Sequence, residues 1–129
     1  MKLSRTGIIL NTENYDACVE FYHQIFELNI IFQKQEGSFR LTCFDFNGAY
    51  LMVETGGYAN SIGKSVKEGS MKLRFNVPDI NDALASLQSK GIDAEIQESS
   101  WGSTINIYDP DGNRIGVRDE ITFSQQASA

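Results

Sequence analysis

Few residues of this chain are equipped for covalent chemistry. Two cysteines, Cys18 and Cys43, and one histidine, His23, make up the whole set of thiols and imidazoles. A nucleophilic cysteine needs a basic partner to form thiolate. Cys18 falls in a helical pattern and Cys43 in a strand pattern, with neither C-x-x-C spacing nor a flanking histidine. Both read as buried thiols of a reduced compartment, and His23, between Tyr22 and Gln24, reads as a surface or helix-packing residue. There is no Ser-His-Asp set, no phosphate-cradling glycine loop and no nucleic-acid motif. What does recur is fixed positive charge at alternate positions of strand-like runs: Lys72 and Arg74 in one, Arg114 and Arg118 in another, opposed on the expected face by Glu54 alone. Guanidinium and ammonium groups converging on a partly desolvated surface favour carboxylate or phosphate.

The chain around these residues is 129 residues long, 41% hydrophobic and 22% charged, with a formal charge of −6. That fits one ordinary domain, 1–129, and leaves no room for a separate regulatory one. No apolar run approaches the roughly 20 residues that cross a bilayer. Met1–Arg5 is not followed by an apolar run of signal-peptide length, so a cytoplasmic location is expected. A sequence pI near 4.7 argues against partners held through phosphate backbones or anionic membrane surfaces. A small-molecule ligand is the partner expected, with no nucleic acid and no membrane.

The elements that must position the charges are organised by an internal repeat. Gly7–Tyr15 and Lys72–Ile80 share one pattern at an offset of 65: apolar residues alternate, an asparagine follows, and a turn leads into a helix. Tyr15, Cys18, Val19 and Tyr22 form an i, i+3, i+4, i+7 stripe, and Ile80, Ala83, Leu84 and Leu87 repeat it in the same register. Asn14 and Asp79 are the expected N-caps, and Gly91 is the expected end of the second helix. Strands are predicted at 30–34, 39–46 and 50–54 in the first half, and at 94–97, 104–108 and 114–118 in the second. Asn47-Gly48 and Asp109-Pro110-Asp111-Gly112-Asn113 mark turns. The reading is α+β: two tandem β-α-β-β-β modules, about 3–55 and 71–119, forming a curved mixed sheet. Residues 56–70 form a linker and 120–129 a loose tail. Each half is too small to bury a sufficient core alone.

Strand alternation then assigns faces. Ile8, Leu10, Leu51, Val53, Leu73, Phe75, Val77, Ile105, Ile107, Ile115 and Val117 are predicted to pack under the helices. The opposite face carries Ile9, Asn11, Met52, Glu54, Lys72, Arg74, Asn76, Thr104, Asn106, Tyr108, Arg114, Gly116 and Arg118, too polar for an ordinary core. Two readings stand for its charges: a site for an anion, or long side chains on a solvated sheet, some bridging to a second copy. Gly56-Gly57-Tyr58 is a flexible strand exit or a lid.

These modules resemble the vicinal oxygen chelate superfamily, which includes glyoxalase I, extradiol dioxygenases and the fosfomycin and bleomycin resistance proteins. The likeness rests on Glu20-Phe21-Tyr22, on Phe75-Asn76-Val77-Pro78-Asp79-Ile80, and on Trp101-Gly102 ahead of Asp109-Pro110-Asp111-Gly112-Asn113, and spans roughly residues 3–119. It implies that the strands curl into a cup holding the ligand. It also implies a divalent metal held by His or Glu from the first and last strands of each module. Carried over by position, those ligands fall at Gly7, near Met52, at Lys72 and at Gly116. Such a site needs three or four convergent imidazoles or carboxylates, and a Lys72 ammonium repels a cation. The metal, and any other cofactor, is expected to be absent, and no catalytic residue is assigned. The resemblance also makes Trp101 an aromatic wall and a homodimer the expected assembly.

The candidate ligand-binding residues are therefore Asn11, Met52, Glu54, Lys72, Arg74, Asn76, Trp101, Asn106, Tyr108, Arg114 and Arg118. The first reading is a metal-independent small-molecule binding protein of the bleomycin-resistance type, favouring an anionic ligand. Its rivals are a glyoxalase- or dioxygenase-like enzyme with a re-sited metal using Glu54, and a regulatory or partner-binding subunit.

Overall fold

The alternating apolar runs and the two helical stripes become eleven elements in the computed structural model, which describes residues 1–129. They are β1 (Gly7–Thr12), α1 (Tyr15–Gln24), β2 (Ile30–Glu36), β3 (Phe39–Phe46), β4 (Ala49–Thr55), β5 (Leu73–Val77), α2 (Ile80–Ser89), β6 (Ile96–Ser99), β7 (Gly102–Tyr108), β8 (Arg114–Asp119) and α3 (Glu120–Ala127). The fold is α+β, two β-α-β-β-β modules in tandem, and α1 and α2 open 65 positions apart. Each module has its own four-stranded mixed sheet, ordered β1-β4-β3-β2 and β5-β8-β7-β6. In each, the first and last strands pair in parallel and the others antiparallel. The chain divides into two compact units. One is Met1–Ile62 with Pro110–Gly112, and the other is Gly63–Asp109 with Asn113–Ala129. No helix is long and apolar enough to cross a membrane.

In the first unit, the parallel register places Ile8 beside Leu51 and Leu10 beside Val53. Thr42 and Phe44 of β3 lie opposite Val53 and Leu51. Leu51, Val53, Thr42 and Phe44 are fully buried, as are Cys18 and Tyr22 of α1. The Tyr15 hydroxyl hydrogen-bonds the Thr42 hydroxyl, which satisfies both polar groups and puts α1 on that face of the sheet. Burying each large apolar side chain contributes about 1.5–3 kcal/mol. Cys43 is also buried, and that burial pushes its thiol pKa up, so it is an inert packing group. The β3–β4 turn holds Asn47 at φ 53° and Gly48 at φ 96°, the pair of left-handed conformations that a tight primed hairpin turn requires.

The start of α1 departs from the sequence expectation. Asn14 makes no side-chain cap to the helix. Its Nδ2 instead donates to Oδ1 of Asp111 at 2.9 Å, while the backbone N–H groups of Glu13 and Asn14 donate to the same carboxylate at 2.6 and 3.0 Å. Asp111 is fully buried and belongs to the first unit. A buried carboxylate is a stronger acceptor than an amide oxygen and sits where the helix dipole favours an anion.

The second unit follows the expected packing more closely. Leu73, Ile105, Ile107, Ile115 and Val117 are buried together with Ile80 and Leu87 of α2. Asp79 does cap α2, accepting from the N–H groups of Asn81 and Asp82 at 2.9 and 3.1 Å. The tail is the exception. Residues 120–127 form α3 rather than loose chain. The reason is a local cap: Asp119 accepts from the Thr122 N–H at 2.9 Å and from its hydroxyl at 2.7 Å.

Candidate functional site

On the face of the second sheet turned away from the buried Ile105, Ile115 and Val117, strand register lines up polar residues. Arg74, Gly116 and Asn106 form one cross-strand row, and Asn76, Arg118, Thr104 and Gln97 form the next. Gly116 leaves a gap in the first row that the neighbouring cations fill. A Cβ there would lie 3.0 Å from Arg74 Nε and 3.1 Å from Lys72 Cε. Beside them is a pocket of about 240 Å³ lined by Lys72, Arg74, Gln97, Glu98, Ser99, Trp101, Thr104 and Asn106.

The polar groups of this pocket hold each other in place. Lys72 Nζ donates to Asn106 Oδ1 at 2.7 Å, and Asn106 Nδ2 donates to Gln97 Oε1 at 3.1 Å. Glu98 is the one carboxylate on the pocket, and its Oε2 accepts from the Ser103 hydroxyl at 2.7 Å. Partial burial, then Arg74, then Arg114 push the Lys72 ammonium below its ordinary pKa. The repulsion among these cations is what an incoming anion would relieve.

The other expected site residues are not among those lining this pocket. Arg118 is only 4% exposed and does not line the pocket. Its Nη2 donates to the Trp101 carbonyl at 2.6 Å, to Gln126 Oε1 at 3.0 Å and to Thr122 Oγ1 at 3.3 Å. Its Nε lies 3.5 Å from Asp119 Oδ1. Its guanidinium carbon stands 4.6 Å from the Trp101 ring centroid and 5.6 Å from that of Phe123. This explains the Trp101-Gly102 step: Gly102 has φ 146°, and a side chain there would collide with Thr122, Arg118 and Asp119. Arg114 donates from Nη2 to the carbonyls of Gly69 and Met71 at 3.0 and 3.4 Å, fastening the segment before β5. Asn76 donates to Glu120 Oε1 at 3.0 Å. The Tyr108 ring lies against Gly63 and does not line the pocket.

Asn11, Met52 and Glu54 belong to the first unit. Asn11 pairs with Glu54 in the parallel ladder, and its Nδ2 donates to the Thr55 carbonyl at 3.1 Å. Met52 and Glu54 are half-buried on that sheet face, where Met52 pairs with Cys43 and Glu54 with Leu41. His23 is exposed, with Nδ1 3.0 Å from the Leu28 carbonyl. Sequence reasoning missed Gln97, Glu98 and Ser99: it assigned no face to the sixth strand and ended it at 97 rather than at Ser99. Their signal is the alternation itself, since Gln97 pairs with Thr104 on the pocket face.

The lock around Arg118 gives a pH-dependent consequence. The Thr122 hydroxyl, then the Thr122 and Ser103 N–H groups, hold the Asp119 carboxylate well below its ordinary value of 3.8, and Arg118 adds to the effect. A carboxylate with a depressed folded pKa stabilises the fold above its ordinary value and loses that contribution as pH falls toward the folded one. Urea unfolding followed by circular dichroism is therefore expected to show the parent protein more stable than Asp119→Asn near neutral pH. The gap should narrow steadily below about pH 4. A gap independent of pH would contradict this.

The residues do not fit the divalent metal that the resemblance implies. At the four corresponding positions stand Gly7, Met52, Lys72 and Gly116. The Tyr50 ring occupies the space into which a side chain at Gly7 would extend. No group of three His, Cys, Asp or Glu side chains comes together anywhere in the chain, and the position of Lys72 holds a cation of its own.

Residues 6–122 match the family model described as a glyoxalase-like domain. No curated protein matches the sequence. Among solved structures, the trypanothione-dependent glyoxalase I of Leishmania major is similar with a TM-score of 0.77 and 14% identity, covering 98% of this chain and 94% of that one. The fosfomycin resistance protein FosX of Listeria monocytogenes is similar at 0.73 and 13%, covering 92% and 94%. The antibiotic binding protein TnmS3 of a Streptomyces species is similar at 0.67 and 19%, covering 92% and 98%. At these identities the likeness is one of fold.

Proposed function

We propose that this chain, which belongs to the glyoxalase-like domain family of the vicinal oxygen chelate superfamily, is a metal-independent binding protein for a small anionic molecule. The observation that carries this reading is the pocket where Lys72 and Arg74 face Asn106 and Trp101, with the Lys72 ammonium disfavoured by partial burial and then by Arg74 and Arg114. A carboxylate or phosphate there gains a bidentate guanidinium partner and an ammonium, and removes their mutual repulsion. Trp101, 42% exposed, offers an apolar wall to the rest of the ligand. At about 240 Å³ the pocket is smaller than the roughly 300–1,000 Å³ of drug-sized sites, so the ligand, or the part of it held here, is small. The neighbour described as an antibiotic binding protein supports a binding role for this fold.

The test is calorimetric titration with benzoate, inorganic phosphate and benzamide, the last a neutral counterpart of benzoate. One or both anions are expected to bind and to raise the melting temperature, with benzamide inert. Arg74→Gln is expected to weaken the anion about tenfold, the loss of one charge-assisted contact. Tight stoichiometric binding of Zn²⁺ or Ni²⁺, with no response to either anion, would instead favour a metalloenzyme.

A further inference from the structure

Lys72 offers more than a charge. An amine held near fixed cations and partly withdrawn from water spends more time unprotonated, and is a better nucleophile for it. Here the neighbours are Arg74 and Arg114, and both act on Lys72 in the same direction as its burial. Its Nζ is not free to wander: Asn106 Oδ1 holds it at 2.7 Å, and Gln97 fixes that amide in turn. The same pocket presents Arg74, whose Nε approaches Gly116 alongside the Lys72 stem. A nucleophilic nitrogen and a carboxylate-binding guanidinium on one small pocket match a particular electrophile: a carbonyl carbon bonded directly to a carboxylate.

We infer that Lys72 forms a reversible imine with small 2-oxo acids whose carboxylate is held by Arg74. The inference rests on the anion-binding reading of this pocket. In the step, neutral Nζ attacks the carbonyl carbon and the C–N bond forms, giving a carbinolamine. The C–O bond then breaks, and both amine hydrogens leave with that oxygen as one water molecule. No electrons are exchanged, so no oxidant or reductant is needed, and hydrolysis returns free amine and oxo acid. The adduct would retain the acid while it stays bound, and would make the pocket selective for oxo acids over hydroxy acids of the same charge.

The experiment uses the intact chain incubated with pyruvate, or with acetone as its uncharged counterpart. Sodium borohydride then reduces any imine to a stable secondary amine, and peptide mass spectrometry locates it. Lys2, Lys34, Lys64, Lys67 and Lys90 are internal standards in the same molecule. With pyruvate, labelling at Lys72 is expected to exceed that at any other lysine about tenfold, the preference one charge-assisted contact supplies. That excess should vanish with acetone and in Arg74→Gln. Even labelling of the six lysines, or equal labelling of Lys72 by acetone, would overturn the inference. A melting-temperature rise with pyruvate, measured without reductant, separates the two levels. Stabilisation without label at Lys72 defeats the imine and spares the anion site, whereas absence of both defeats both.

Discussion

Replacing Asp111 by alanine is expected to lower the unfolding free energy by about 3 kcal/mol and the melting temperature by about 10 °C. The carboxylate is fully buried and accepts three hydrogen bonds, two of them from backbone N–H groups leading into α1. Removing it leaves those donors without a partner and takes a negative charge from the helix N-terminus, where the dipole favours one. Asp111→Asn keeps the shape and one acceptor oxygen while losing the charge, so its cost should be nearer 1–2 kcal/mol. Calorimetric melting of the three proteins measures the series. An alanine variant that melts with the parent would show that water replaces the carboxylate at no cost, and would remove the explanation for Asn14 failing as a cap.

The second large effect is expected at Arg118. Its guanidinium is nearly inaccessible, with one oxygen of Asp119 3.5 Å away and the Trp101 carbonyl, Gln126 and Thr122 accepting from Nη2. Arg118→Met keeps much of the stem and removes the charge. It leaves the Trp101 carbonyl with Gln126 Nε2, 3.2 Å away, as its remaining side-chain donor, takes the donor from Gln126 Oε1, and deprives Asp119 of its buried counterion. Breaking a buried pair from one side costs about 3–5 kcal/mol. Since α3 is fastened through Gln126 and Thr122 of its own turns, helical signal should fall together with stability. Trp101 is the only tryptophan, so its fluorescence reports the site directly and should shift to longer wavelength as the ring loses the cation. Loss of stability with an unchanged Trp101 spectrum would mean that the stacking at 4.6 Å is incidental.

What the sequence revealed and what it concealed divide by range. The 65-residue repeat, the buried stripe of each helix and the alternation that lines up Lys72, Arg74 and Asn106 are local periodicities, visible to anyone who counts positions. Arg118 obeys the same alternation, yet it is enclosed. Its fate depends on α3, and α3 depends on the Asp119-to-Thr122 cap, a short signal at the boundary of a segment with no strong apolar stripe. Arg114 likewise fits the alternation, but its Nη2 is taken up by carbonyls 43 and 45 positions away. Asn14 looked like a cap because asparagine before a helix usually is one. The competing anion stands 97 positions further along, where no local pattern points to it. Positions on one strand face were readable; which cations stay open to a ligand was decided by non-local partners.

The placement of Asp111 has a consequence for how the chain is made. Ribosomes deliver sequence in one direction at about 5–20 residues per second, and domains usually form as they emerge. All four strands and the helix of the first unit lie within Met1–Ile62, but its three remaining residues, Pro110–Gly112, come much later. For several seconds of synthesis the residues of that sheet and of α1 are present without the carboxylate that completes their unit. A truncated product or a stalled chain ending before residue 111 would expose the uncapped amides of Glu13 and Asn14, so the final maturation of the N-terminal half is timed by the C-terminal one.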